Sequence, residues 1–279
     1  MSPEREGTSV TNPERITSSQ NARLKEVLRL RKRRHRDRRQ SILIDGSREV
    51  CRAIEAGVDI QELYVTDAFW QATETAGWRT TLDSNVRVSL VSADLLDRIA
   101  YGDRNEGVVA VAVPPATSLS GLSLPPDPLV LILEGVEKPG NVGAVIRTAD
   151  AAGIDAVIVV DAGTDLFNPN AIRASLGTLF SMAICAADLD EIQPWLAERS
   201  LQVIVTRVDG ADWYDQFDYC RGTAIVLGSE ADGVTECWKS AAYQAAKLPM
   251  LGIADSLNVS ATAAVFCYEA SRQRRALKP

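Results

Sequence analysis

Two α/β domains in series are expected from this 279-residue chain. Three observations carry that expectation. Short apolar runs alternate with helix-patterned segments from residue 41 to residue 113, and the alternation resumes at residue 129. Between them stands VPPATSLSGLSLPPDP, holding Pro114, Pro115, Pro125, Pro126 and Pro128. Such density forbids regular helix or sheet, so residues 114–128 read as a semi-rigid linker. The composition, 46% apolar and 24% charged, is that of an ordinary globular protein and excludes a disordered chain.

In the first domain, taken as 15–113, SILIDG reads as a strand, SREVCRAIEAG as a helix and IQELYVT as a second strand. NVRVSLV, SADLLDRIA and GVVAVAV continue as strand, helix and strand. In the second domain, 129–279, LVLILEG is a strand and NVGAVIRTADAAG a helix closed by Gly153 at its C-cap. DAVIVV, LQVIVT and TAIVLG are further strands, and the alternation with helices implies a mainly parallel sheet. Helices are expected near 169–177, through DLDEIQPWLAERS with Pro194 in the first turn or at a kink, and over the final SLNVSATAAVFCYEASRQRR.

Several classes of function are excluded early. Residues 1–14 are polar, lack the apolar stretch of a secretory signal and are expected to form a disordered tail. No apolar run approaches the ~18 to 20 residues of a membrane span. Cys51, Cys185, Cys220, Cys237 and Cys267 are far apart and show no CxxC spacing, so neither a zinc site nor a disulfide framework is indicated. They read as reduced, mostly buried thiols of a cytoplasmic protein. The single histidine, His35, lies inside an arginine run, which removes Ser-His-Asp and Cys-His catalysis and multi-histidine metal sites. No metal is expected. The chemistry must come from carboxylates, amides, hydroxyls, arginines or a cofactor.

The net charge of −7 conceals a strong asymmetry. Residues 23–39, RLKEVLRLRKRRHRDRR, carry ten Lys and Arg against two acids, leaving 20 basic and 35 acidic residues elsewhere. A dense basic arm on an acidic body is either a solvated amphipathic helix or an element that neutralises a nucleic-acid backbone by displacing counterions. On the second reading Arg31, Lys32, Arg33 and Arg34 are the candidate phosphate contacts. Leu24, Val27 and Leu28 give a helical apolar edge that would dock the arm.

Three loops follow strand ends, where open α/β sheets bind ligands. They are LEGVEKPGNVGAVIRTAD (133–150), VLGSEADGV (226–234) and LPMLGIADSLNVSATAA (248–264). Gly135 and Gly140 superficially suggest a phosphate loop, but Asn141 and Val142 stand where its lysine and hydroxyl belong. No GxGxxG occurs either, so kinase and dehydrogenase readings lack their fingerprint. Singly, each loop has a structural alternative: Asn141 as a helix cap, Glu230 as an arginine's partner, Ser256 as the N-cap of the last helix.

Together they are specific. Asn141-Val-Gly143 with Arg147-Thr-Ala, Gly228-Ser-Glu230 with Gly233, and Leu248-Pro-Met250 with Ser256-Leu-Asn258-Val-Ser resemble the three motifs of the SpoU, or TrmH, ribose 2′-O-methyltransferases of the SPOUT superfamily. The resemblance covers residues 129 to 275. The first half resembles, more loosely, the substrate-binding domain of that family, related to a small RNA-binding ribosomal-protein fold; Asp45 stands where the family has a glutamate before Gly46.

The resemblance implies a homodimer with a C-terminal trefoil knot that holds S-adenosylmethionine (SAM). It places Thr206, Gly228, Leu248 and Leu257 at the cofactor, and makes Asn141, Arg147, Glu230, Ser256 and Asn258 the candidate catalytic residues. Arg147 is expected to bind a phosphate and stabilise developing charge on the attacking ribose oxygen, since a guanidinium does not accept a proton near neutrality. Asn141 would orient its loop, and Glu230 would position Arg147 or the cofactor loop. Arg173, in a further family-like stretch, is expected to contact RNA. Ribosomal RNA is favoured over tRNA as substrate, because the N-terminal domain and arm suit a large folded RNA. The rival reading is a non-catalytic RNA-binding or ribosome-assembly factor on the same fold.

Overall fold

The computed structural model describes residues 13–73, 76–102, 106–161 and 164–276. They form two compact units. One comprises the chain up to Pro115 together with Phe167–Ser181, and the other comprises Ala116–Leu166 and the residues from Met182 onward.

The first unit is built on a five-stranded mixed sheet of β1 (Glu14–Ile16), β2 (Ile42–Asp45), β3 (Ile60–Val65), β4 (Arg87–Val91) and β5 (Val108–Ala112), in the order β1-β4-β3-β5-β2. β1, β4 and β3 run parallel; β5 is antiparallel to both β3 and β2. The range expected for a tail overlaps this sheet: Glu14, its last residue, pairs with Ser89, while residues 1–12 of that range lie outside the described residues. Pattern reading misses β1 because it is three residues long and buries only Ile16.

The basic arm is two helices rather than one, α1 (Ala22–Arg29) and α2 (Arg33–Arg39), broken at Leu30–Lys32. Its apolar seam is Leu24, Val27 and Leu30, all buried; Leu28 faces out, a correction to the expected edge. An i, i+3, i+6 row follows one side of the helix, whereas Leu28, next to Val27, is turned about 100° away from it. α3 (Ser47–Glu55) and α6 (Ala93–Ile99) fall where expected, the latter capped by Ser92 accepting from the Leu95 N–H. Two short helices were not foreseen, α4 (Asp67–Gln71) and α5 (Ala76–Arg79).

The second unit is a seven-stranded, fully parallel sheet. Its strands are β6 (Leu129–Glu134), β7 (Ala156–Val160), β8 (Ala183–Ala187), β9 (Gln202–Thr206), β10 (Asp212–Trp213), β11 (Thr223–Leu227) and β12 (Gln244–Lys247), ordered β10-β12-β9-β11-β6-β7-β8. β6, β7 and β11 are buried along their whole length, as strands covered on both faces must be, and their unbroken apolar runs announce it. β8, β10 and β12 went unforeseen. AICAA and QAAK are alanine-rich and partly exposed near the sheet margins, and β10 is two residues long.

Helix α7 (Pro139–Ala152) starts with proline at its first position and ends at Gly153, whose φ of 76° is the left-handed C-cap conformation glycine adopts without strain. α9 (Leu189–Glu198) opens with an Asp188–Glu191 capping box, and Pro194 lies past the first turn, inside the helix. α10 (Val259–Ala276) packs against α7. Of the five cysteines, Cys185 and Cys267 are buried and the other three partly exposed, so "mostly buried" overstates the case. Among the described residues no helix is long and apolar enough to cross a membrane, and no group of three or more His, Cys, Asp or Glu could hold a metal ion.

Helix α8 (Pro169–Ala174) comes from the second half of the sequence but belongs to the first unit. There Arg173 pairs with buried Asp45 at 2.8 Å and also donates to the Tyr101 carbonyl. The guanidinium expected to face RNA is thus turned inward. Burial pushes the Asp45 carboxyl up from 3.8 to about 6, against the pull of the Tyr101 N–H and Arg173 and with the help of Glu106 and Glu49. Because the folded value lies above the unfolded one, this group's contribution is complete below about pH 3.8 and is lost as pH rises through about 6. Asp45→Asn, which keeps an acceptor for Arg173 but does not titrate, should therefore gain stability relative to wild type as pH rises from about 4 to about 6, and the difference should level off above that. Urea midpoints at several pH values test this; a constant difference overturns it.

Candidate functional site

The site lies in the second unit, outside the carboxyl ends of its parallel strands. Strand order turns back at β6: β7 and β8 lie on one side, and β11, β9, β12 and β10 on the other. Ligands of open α/β sheets bind at such a reversal. A cavity of about 740 Å³, within the range of small-molecule sites, opens on the β11 side of this reversal. Its walls come from the ends of β9 (Thr206 to Asp209), β11 (Leu227 to Val234) and β12 (Ala246 to Leu248), closed by Leu257 and the first turns of α10. All four residues expected at the cofactor, Thr206, Gly228, Leu248 and Leu257, line it, as do Glu230 and Ser256.

Gly228 is where the wall folds most tightly. A Cβ added there would lie 2.2 Å from the Gly233 carbonyl carbon, so the backbone occupies the space a side chain needs. The loop closes on itself just beyond, with Ser229 and Gly233 exchanging backbone hydrogen bonds of 2.9 and 3.1 Å. Leu248 and Leu257 add apolar surface, and Trp213 stands at the margin with the Lys247 ammonium 4.6 Å above its ring.

Glu230 joins the three sequence loops. Its Oε1 accepts from the Asn258 amide at 2.7 Å and from the Asn141 amide, and its Oε2 accepts from Lys138 Nζ at 2.8 Å. Residues 92 positions apart thus meet at one carboxylate. One of the two alternatives expected for Glu230 is corrected: it is paired with Lys138 and not with Arg147. Sequence reading does not single out Lys138, whose only signal is a cation just before the proline that opens α7. The pairing raises the Lys138 ammonium above its ordinary value, first through the hydrogen bond to Glu230.

Arg147 lies six residues beyond Asn141 on α7, about 120° round the helix. It is exposed and has no hydrogen-bond or ion-pair partner among the described residues. The cap assignments also change. Lys138, not Asn141, is the N-cap of α7, and Asn258 rather than Ser256 caps α10, its Oδ1 accepting from the Ser260 N–H at 3.0 Å. Asn258 therefore has two tasks, since its amide N–H reaches Glu230 while its oxygen holds the helix start.

In the first unit the arm's cations divide. Arg31 donates to the Ala100 carbonyl, Arg36 is buried against the Leu30 carbonyl at 2.6 Å, and Arg39 pairs with Glu62 at 2.5 Å. Arg33 lies 3.7 Å from Asp37. Of the four expected contacts, Lys32 and Arg34 remain exposed and unpaired among the described residues, and Lys25 and Arg38 join them. Desolvation and then the neighbouring Arg34, Arg29 and Arg38 hold His35 below the ordinary histidine value, a local sign of that crowded positive charge.

Comparison with known proteins agrees with this geometry. The family model described as SpoU rRNA Methylase family matches residues 128–268. The chain belongs to that family. A second model, MRM3-like substrate binding domain, matches residues 21–110 of this SpoU methylase. The 23S rRNA (uridine(2479)-2'-O)-methyltransferase of Streptomyces viridochromogenes is 32% identical over 93% of this chain and 92% of its own. A solved RNA 2′-O ribose methyltransferase is 38% identical, covering 94% of this chain and 99% of that one with a TM-score of 0.82. The AdoMet-bound rRNA methyltransferase from Sinorhizobium meliloti is 28% identical, covering 95% and 99%, with a TM-score of 0.84.

Proposed function

We propose that this SpoU methylase transfers a methyl group from SAM to a ribose 2′-hydroxyl of ribosomal RNA. The observation that carries the reading is the Glu230 junction, which fixes all three motif loops beside a cavity lined by the four expected cofactor residues. The residues fit that cofactor. The wall offers backbone at Gly228, where no side chain intrudes, and apolar surface from Leu248 and Leu257 for an adenine. When bound, SAM supplies a methyl group already activated on a sulfonium.

The chain's own contribution is then positioning, which for a well-aligned pair supplies roughly 7 to 11 kcal/mol. Arg147, free and exposed, binds an RNA phosphate and stabilises charge developing on the ribose oxygen. Asn141 and Asn258 reach their places through Glu230, and Ser256 stands at the cavity for the substrate hydroxyl or the cofactor turn. The first unit, with the arm, binds RNA. Lys32, Arg34 and Arg38 are the contacts proposed there, in place of Arg31 and Arg33.

The chain also forms a trefoil knot and a homodimer on this reading. The knot is supported by β11 entering between β6 and β9 and by α10 returning to α7. The dimer is supported by the exposed apolar side chains of this unit, Leu251 and Ile253 at 97% and 105% exposure, with Leu257 and Tyr268 also exposed.

Transfer from labelled SAM to separated ribosomal RNA and tRNA, followed by nucleoside mass spectrometry, tests the function. A 2′-O-methylnucleoside in ribosomal RNA is expected. The same product in tRNA alone overturns the substrate, and no transfer without SAM binding favours a non-catalytic RNA-binding protein. Replacing Lys32, Arg34 and Arg38 together by alanine should lower the salt slope of RNA binding by about 2, given roughly 0.7 to 0.9 per phosphate contact. An unchanged slope removes the arm from the interface.

A further inference from the structure

We infer that Glu134 is a positioning residue for the cofactor cavity, acting through Thr235 on the loop that carries Gly228 and Glu230. The inference rests on the cofactor reading above. Glu134 ends β6 and is 2% exposed. Its carboxylate accepts twice from one residue, at 2.9 Å from the Thr235 N–H and at 2.6 Å from the Thr235 hydroxyl. Among the described residues no cation pairs with it.

A buried carboxylate without a cation is costly, and a leucine would continue the apolar run LVLIL at no such cost. What leucine cannot do is hold Thr235. The loop from Gly228 to Val234 is closed at its neck by the Ser229–Gly233 pair and inside by the Asp232 N–H on Ser229 Oγ at 3.0 Å. A loop so closed moves as a unit, and its orientation is set by its attachments.

Besides Val234 in the core, two polar attachments hold it among the described residues. At the tip, Glu230 is held by Lys138, Asn141 and Asn258 in contact with solvent. At the exit, Thr235 lies at the surface but is held by the buried Glu134 carboxylate, whose burial strengthens both hydrogen bonds and shields them in part from salt. Glu134 also leads directly into Gly135 and the loop bearing Lys138 and Asn141. One carboxylate therefore sets the root of the substrate-side loop against the root of the cofactor loop.

Calorimetric titration with SAM and with S-adenosylhomocysteine, beside thermal melts, tests the inference on full-length variants. Glu134→Met should raise the SAM Kd about tenfold, equivalent to about 1.4 kcal/mol. Glu134→Gln offers an oxygen to the N–H and an amide to the hydroxyl, so it should stay within about threefold of wild type. In steady state the KM for SAM should rise in Glu134→Met while kcat at saturating SAM holds. A Glu134→Met protein that melts earlier yet binds SAM with the wild-type Kd overturns the inference, leaving Glu134 a structural acid only. If that variant does not fold, Thr235→Val against Thr235→Ser decides: weaker SAM binding in the valine variant alone upholds it, and equal binding overturns it. A wild-type protein that binds neither ligand overturns the cofactor reading, and this inference with it.

Discussion

Arg147→Ala should lower methyl transfer by about 10²- to 10³-fold, the loss seen when one preorganised donor is removed from a developing oxyanion. SAM affinity should stay within about twofold, because Arg147 is not among the residues lining the cavity. The fold should be unaffected. The side chain is exposed, makes no partner among the described residues, and alanine is the better helix former. Arg147→Lys sharpens the test, since lysine keeps the charge and loses the planar fork. Intermediate turnover in Arg147→Lys points to charge plus geometry; near-normal turnover in Arg147→Ala, with SAM bound, removes Arg147 from the chemistry. Single-turnover methylation of the RNA substrate measures both.

Gly228→Ala should weaken SAM binding by roughly 10- to 100-fold, the equivalent of the 1 to 3 kcal/mol that overpacking costs. The added Cβ would lie 2.2 Å from the Gly233 carbonyl carbon, 2.3 Å from its oxygen and 2.5 Å from the Val234 nitrogen. All three are backbone atoms, so no side-chain rotation relieves the overlap. The neck must open, breaking the Ser229–Gly233 pair and moving the loop that carries Glu230. Unlike Arg147→Ala, this variant should lose cofactor binding and turnover together. Wild-type SAM affinity in Gly228→Ala would show that the loop has room the geometry does not provide.

Tertiary geometry separates positions that stand together in the sequence. Asn141 and Arg147 stand in one motif, yet helical geometry sends them to different faces of α7, one to Glu230 and one to solvent. Similarly, Arg31 and Arg34 are three residues apart in one basic run, and only Arg34 keeps its charge outward. A run of arginines is legible in sequence. Which of them find carbonyls and carboxylates inside the unit is not, because Ala100 and Glu62 lie far along the chain.

The amino-acid sequence by itself determined the α/β class, the strands β2 to β7, β9 and β11, and the loops that hold the site. These are local properties: apolar runs make buried strands, and loops after strand ends fall where parallel sheets bind ligands. The four expected cofactor residues line the cavity for the same reason, since each sits in or beside such a loop. Tertiary structure alone decided the partnerships. β11 takes its place between β9 and β6, and that order brings Glu230 to Lys138 across 92 residues and Thr235 to Glu134 across 101. Likewise α8 joins the first unit, which turns Arg173 onto Asp45. Strand order depends on non-local backbone pairing, and no short-range pattern records it.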